Sequence, residues 1–186
     1  MGELLIRPDD LDVRGLRSEE YMALFEMGAF EGERVELIGG QVIRVSPMSD
    51  PRAWTIMRLN AQLASLMSSG YDVRVQLPVD VSEYSMPEPD VSIHPRLDRP
   101  DQRPTTALVA IEVSVTSLRL DLTHKASIYA SAGIPLYLVF DLNGDRLVVH
   151  RAPEGGTYTD VAEHVPTGGF DVLGIDLDLP ELFGRG

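Results

Sequence analysis

A carboxylate inside an apolar run needs a chemical reason. Glu112 interrupts Ala107-Leu108-Val109-Ala110-Ile111-Glu112-Val113-Ser114-Val115, the most apolar stretch of the chain. Burying such a charge is costly unless a cation, a set of hydrogen bonds or a metal compensates it. Strand alternation sends its neighbours Ile111 and Val113 to the opposite face. The ordinary alternative is a glutamate at a strand end, facing water. Lys125 is the chain's single lysine, against fifteen arginines. A retained lysine suits a compact point charge lying against a water or a phosphate oxygen, where a guanidinium will not do. Its ordinary alternative is a lysine snorkelling from a helix start. Asp90 follows Pro89 at the head of a short strand, after a proline-rich loop. Two carboxylates can hold a hydrated Mg²⁺, which lowers the pKa of a bound water and polarises a phosphate. A lysine beside them can orient the attacking water and neutralise charge in the transition state.

The elements that must position these residues follow from periodicity and turn chemistry. Ser18 reads as the N-cap of a helix ending near Gly28. Strands over 34–38 and 41–45 flank the Gly39-Gly40 turn. Asp50-Pro51 starts a helix carrying Ile56, Leu59, Leu63 and Leu66 on one face as far as Gly70. Strands are predicted over 71–76, 79–81 and 90–93, and a central one over 107–115. A helix over 122–132 puts Leu122, Lys125, Ala126 and Tyr129 on one face, turned toward the sheet that holds Glu112. Strands over 136–141 and 146–151 flank Asn143-Gly144 as a hairpin. The tail holds a weak strand near 158–165 and an apolar patch of Leu177, Leu179, Leu182 and Phe183. The sum is a mixed α/β (α+β) fold, a central mixed sheet flanked by helices.

Composition narrows the classes. The 186 residues, 44% apolar and 24% charged, fit one globular domain over 1–186, with acidic N- and C-terminal extensions. No apolar run is long enough to span a bilayer. Residues Met1 to Arg7 do not read as a signal peptide. The absence of cysteine excludes thiolate zinc sites and cysteine nucleophiles, and agrees with a cytoplasmic location. The net charge of −13 argues against nonspecific binding of long DNA. It is uneven, however: residues 51–153 carry ten basic against eleven acidic residues, while the two ends hold the excess. A local basic groove remains open to the middle segment, with Arg34, Arg44, Arg52, Arg74 and Arg119 as its candidates. The histidines at 94, 124, 150 and 164 have no metal-ligand spacing and carry no role in this reading.

The residues that carry the chemistry also resemble a family. The stretches Val75-Gln76-Leu77-Pro78-Val79, Pro87-Glu88-Pro89-Asp90-Val91 and Leu108 to Ser114 resemble bacterial proteins described as restriction endonucleases. So do Ser117-Leu118-Arg119-Leu120-Asp121, Lys125, Ile128-Tyr129-Ala130, Gly133-Ile134-Pro135, Tyr137 and Asp141. Glu36-Leu37-Ile38-Gly39-Gly40 and Ser46-Pro47 join the pattern, which runs from about Ser18 to Arg151. The resemblance implies a restriction-endonuclease-like fold of the PD-(D/E)XK type. Its catalytic residues would be Asp90, Glu112, Lys125 and Glu36, and its metal set Asp90, Glu112, Val113 and Glu36, for Mg²⁺ or Mn²⁺. In the plain motif the lysine stands two residues after the glutamate. Ser114 is there, and Lys125 matches the displaced lysine of this family. Asp121 matches a family position too, and equally reads as a helix N-cap. Two departures are Ala53-Trp54, where the family often has a histidine, and Leu138, where it often has an aromatic.

The expected function is metal-dependent hydrolysis of phosphodiester bonds in DNA by a homodimer or higher homo-oligomer. The alternative is a catalytically weak or inactive binding or regulatory module on the same fold, which the acidic charge favours. A hydrolase of small phosphorylated substrates is a third. Asp90 and Glu112 should sit on adjacent strands with Lys125 in the same cleft. Because a buried anion without its cation is a cost, neutralising either carboxylate should leave the fold intact or stabilise it.

Overall fold

The computed structural model describes residues 14–99 and 101–185, so the reading of residues 1–7 lies outside it. The chain begins with α1 (Ser18–Glu26), β1 (Val35–Ile38) and β2 (Gln41–Arg44). Next come α2 (Asp50–Leu63), a 3₁₀ turn (Ala64–Ser69), β3 (Tyr71–Val75), β4 (Val91–Pro95) and β5 (Val109–Ser114). A composite helix follows: α3 (Leu118–Leu120), a π turn (Asp121–Lys125) and α4 (Ala126–Ser131). It leads to β6 (Leu136–Asp141), β7 (Arg146–Glu154), β8 (Thr157–His164), β9 (Gly169–Val172), β10 (Ile175–Asp178) and α5 (Leu179–Leu182).

Among the described residues the main sheet has six strands in the order β3-β4-β5-β6-β7-β8. Only β5 and β6 run parallel, joined by the composite helix as a crossover. All other neighbours are antiparallel. Each face has its own apolar cluster. Val91, Ile93, Val109, Ile111 and Val113 meet Ile56, Leu59 and Leu63 of α2 on one face. Ala110, Tyr137, Val139 and Val148 meet Ala126 and Tyr129 of α4 on the other. This two-sided cover explains why β5 reads as almost continuously apolar.

The β1–β2 hairpin turns at Gly39 and Gly40, with φ of 57° and 77°. Both angles are in the left-handed region that a tight hairpin requires and glycine alone adopts freely. A Cβ on Gly40 would also come within 2.7 Å of the Gly15 Cα. The hairpin is held by Met86, whose amide donates to the Leu37 carbonyl at 2.8 Å, and by Tyr21, which donates to the Val35 carbonyl at 2.9 Å.

Several local expectations shift. The α1 cap is Arg17, not Ser18, and the Glu20 carboxylate accepts from the Arg17 amide at 3.0 Å. The α2 cap is Ser49, one place before Asp50. Residues 79–81 form no strand: the Val79 and Asp80 amides donate to the Pro87 and Pro104 carbonyls, both loop partners. Asp121 does not cap the crossover helix but lies inside it. The C-terminal apolar patch is a hairpin plus helix, β9–β10–α5. It places Phe170, Val172, Leu177, Leu179 and Leu182 in the α2-side cluster. Its signal was short because the two strands have four residues each.

Candidate active site

Antiparallel register sets the first pair. Val91 of β4 lies opposite Ile111 of β5, so one further step places Asp90 across from Glu112. Cβ atoms at such positions are about 4.5–5.5 Å apart. Alternation puts both carboxylates on the α4 side, since Val91, Ile93, Ile111 and Val113 all point to the α2 side. Both are buried.

The composite helix brings Lys125. A π turn is wider than an α turn, and such turns often mark functional sites. Asp121, Lys125 and, in α4, Tyr129 follow one another at i, i+4 and i+8 and share the buried face. Lys125 Nζ donates to Glu112 Oε1 at 2.9 Å and to Glu36 Oε1 at 3.2 Å, and lies 2.9 Å from Glu36 Oε2. Tyr129 Oη donates to the same Glu112 Oε1 at 2.9 Å. Asp121 accepts from Ser117 Oγ at 2.6 Å. Burial pushes the Glu112 carboxyl well above the ordinary carboxylate range. Asp121, Asp90 and Glu36 push the same way, against the Lys125 ammonium. Burial also raises Asp121. For Lys125 burial acts downward, but Glu112, Glu36 and Asp121 outweigh it and raise its pKa, so the ammonium is held charged.

Asp90 is engaged differently. Arg52, in the first turn of α2, grips it in a fork: Nη2 donates to Oδ1 at 2.9 Å, and Nε donates to Oδ2 at 3.1 Å. Gln76 Nε2 donates to Oδ1 at 3.1 Å and the Val113 amide to Oδ2 at 2.9 Å. Asp90 is 0% exposed and Arg52 7%. Asp90 therefore lies behind the cleft wall. The cleft itself has a volume of about 230 Å³ and is lined by Glu36, Ser46, Arg52, Glu112, Asp121 and Lys125, among others.

The donor chemistry can be tested against a divalent ion. Four buried carboxyl groups, Glu36, Asp90, Glu112 and Asp121, face two buried cations, Arg52 and Lys125. Fully ionised, the set is short by two positive charges, the charge of one such ion. All its side-chain donors are hard oxygens, the preference of Mg²⁺ and Mn²⁺. Glu36 Oε2 is buried and ion-paired with the Lys125 ammonium at 2.9 Å. The donor set fits. As placed, however, no three His, Cys, Asp or Glu side chains among the described residues group closely enough to hold a metal. Lys125 stands between Glu36 and Glu112, and Arg52 covers Asp90. Val113 could join only through its main-chain carbonyl.

The other candidates divide. Of the five arginines expected at the cleft, Arg52 and Arg44 line it, and Arg44 is paired with Glu33 at 2.7 Å. Arg74 turns to the Pro78 carbonyl, and Arg34 and Arg119 are exposed outside the cleft lining. His94 is buried between Ser92 and the Thr106 carbonyl, and His150 packs in tilted contact with the Tyr137 and Tyr158 rings. Trp54, where a histidine is common, is exposed beneath Arg58. Sequence reasoning gave no individual role to Arg52 and read Tyr129 only as packing. A signal for Arg52 existed. It continues the stripe of Ile56, Leu59 and Leu63 at i+4, i+7 and i+11, a charge at a core-facing position.

A family model, Uma2, described as "Putative restriction endonuclease", matches residues 18–182. No curated protein matches the chain. Among solved structures, the chain resembles a "putative nuclease belonging to DUF820" from Anabaena variabilis with a TM-score of 0.70 at 15% identity. That match covers 91% of this chain and 98% of the other. It also matches the type IIG restriction endonuclease BpuSI at 15% identity and a TM-score of 0.45, over 76% of this chain and 17% of that larger one. The first likeness shows a shared fold, the mixed sheet flanked by helices of restriction-endonuclease-like nucleases.

Proposed function

The chain belongs to the Uma2 family of putative restriction endonucleases, and from that premise we propose that it hydrolyses phosphodiester bonds in DNA with a divalent metal, Mg²⁺ or Mn²⁺. The observation that supports this most is the convergence of Glu36 and Glu112 on one lysine in a single cleft, with Asp90 behind its wall at Arg52. β1, the head of β4, β5 and the crossover helix would supply a PD-(D/E)XK-like set, with the lysine on the crossover helix rather than on β5.

Asp90, Glu112, Glu36 and the Val113 carbonyl would hold the metal. Once bound, the metal would acidify a water, polarise the phosphate and stabilise the departing oxygen. The protein's own groups do the rest. Lys125 stays protonated between two carboxylates and presents an ammonium that orients the attacking water and offsets phosphate charge. Tyr129 fixes the rotamer of Glu112 by its hydrogen bond. Ser117 fixes Asp121 in the same way. Cutting both strands of a duplex with one site per chain calls for two copies related by a two-fold axis.

The test is nicking of supercoiled plasmid with Mg²⁺ or Mn²⁺ at low salt, since an acidic protein holds DNA poorly when salt rises. Lys125→Ala should lose activity by a factor on the order of 10²–10³, as expected for one electrostatic group. Glu112→Gln should abolish cleavage. Equal nicking by wild type and both variants would refute the site. No cleavage of any nucleic acid by wild type, across metals and salt, would favour a binding module on the nuclease fold.

A further inference from the structure

We propose that Arg52 is a built-in counter-cation that occupies Asp90 until a divalent ion displaces it, and that the released guanidinium then takes a substrate phosphate. The inference rests on the metal-dependent reading above and adds a residue that this reading does not use.

Both oxygens of Asp90 are already occupied. Oδ1 accepts from Arg52 Nη2 and Gln76, and Oδ2 accepts from Arg52 Nε and the Val113 amide. A carboxylate has about four lone-pair sites. A metal can reach Asp90 only if one of these donors leaves. The Val113 amide is fixed in β5, within the central sheet. Gln76 is neutral, so its departure would leave the Arg52 guanidinium and a divalent ion, three positive charges, on one carboxylate. Arg52 is the donor whose departure trades one cation on Asp90 for another and so avoids placing two cations there. It is also the donor with somewhere to go. It lines the cleft that holds Glu36, Glu112 and Lys125, and a smaller adjoining pocket with Ser46, Ser49, Thr116 and Ser117. The hydroxyls there suit phosphate oxygens, and a guanidinium binds phosphate in the same fork that it uses on a carboxylate. Arg52 starts from the first turn of α2, so a side-chain rotation suffices and the helix need not move.

The experiment follows the Arg52 Nε–H signal by NMR during Mg²⁺ titration, with Arg52→Gln to assign it. Mn²⁺ affinity of both proteins is measured by calorimetry. Without metal, the Arg52 signal should be protected from solvent exchange, and it should lose that protection as Mg²⁺ binds. Arg52→Gln should bind Mn²⁺ about tenfold more tightly, a coupling of ordinary size between two competing cations. At saturating Mg²⁺ the same variant should raise KM for DNA several-fold, with a smaller change in kcat. If Mg²⁺ binds while the Arg52 signal stays protected, or if the variant binds Mn²⁺ no more tightly, the displacement is refuted and Arg52 is a fixed support for Asp90. An unchanged KM with tighter Mn²⁺ binding refutes the phosphate role alone. If wild type binds no divalent ion, the metal-dependent reading fails and this inference with it. Should Arg52→Gln not fold, the wild-type NMR titration decides, with its signal assigned through Arg52→Lys.

Discussion

At the scale of single residues, Asp90 and Glu112 respond differently to neutralisation. The sequence alone pointed to relief for either. The structure corrects this for Asp90, whose charge is matched by buried Arg52. Asp90→Asn strands that guanidinium, and breaking a buried pair from one side destabilises by about 3–5 kcal/mol. A domain's total stability is only ~5–15 kcal/mol, so the urea midpoint should fall sharply. Glu112→Gln keeps an oxygen for Tyr129 and leaves Lys125 paired with Glu36. Its midpoint should move by no more than about 1 kcal/mol, the scale of one net hydrogen bond. Equal losses in the two variants would show that Arg52 does not carry Asp90. Lys125→Arg should impair cleavage as strongly as Lys125→Ala, because a planar fork cannot sit as a point charge between Glu36 and Glu112.

Elements decide whether these residues meet. Asp121, Lys125 and Tyr129 stand at i, i+4 and i+8 of the crossover helix and share its buried face. Deleting exposed Ser127 from α4 should leave a helix but rotate Tyr129 about 100° around the axis relative to Lys125. Far-UV circular dichroism should barely change while plasmid nicking is lost. Retained nicking would mean that the alignment of Lys125 with Tyr129 has no part in placing the site. The C-terminal hairpin and α5 make a different contribution, through the core. Phe170, Val172, Leu177, Leu179 and Leu182 are buried on the α2 side of the sheet. Each such side chain contributes roughly 1.5–3 kcal/mol, so together they rival the whole stability of a domain. A chain ending at Thr167 should be unfolded or aggregated by size-exclusion chromatography; a monodisperse, cooperative product would contradict this.

For the whole molecule, charge and pH act through groups remote from the cleft. Burial lowers the pKa of His94 and of His150 below 6.5. The unfolded chain therefore takes up these protons at higher pH than the folded one. The stability concerned is fully present above about pH 6.5 and is lost as the pH falls through the lowered values. Glu112 and Asp121, raised by burial, work in the opposite direction. The informative quantity is thus a difference. A His94→Gln/His150→Gln variant should lose less stability than wild type between pH 7.5 and 5 in urea titrations. Parallel curves would show that neither imidazole is held neutral by the fold. Among the described residues no helix is long and apolar enough to cross a membrane. The −13 charge acts at this scale too, by making any DNA contact sensitive to salt.

Period and turn chemistry were enough to place the strands around Asp90 and Glu112, the hairpin at Gly39-Gly40 and the helix bearing Lys125. These are local signals, and each lies within a window of ten or so residues. A charge within an apolar run marked Glu112, and the bias toward arginine marked Lys125. Matching to a family pattern added Glu36. What the sequence did not contain was the pairing of charges. Lys125 meets Glu36 across 89 positions, and Arg52 meets Asp90 across 38. Such contacts depend on how the β1–β2 hairpin and α2 dock against the sheet. A carboxylate's type states that it needs a cation. Only the packed structure decides whether that cation is a lysine, an arginine or room left for a metal.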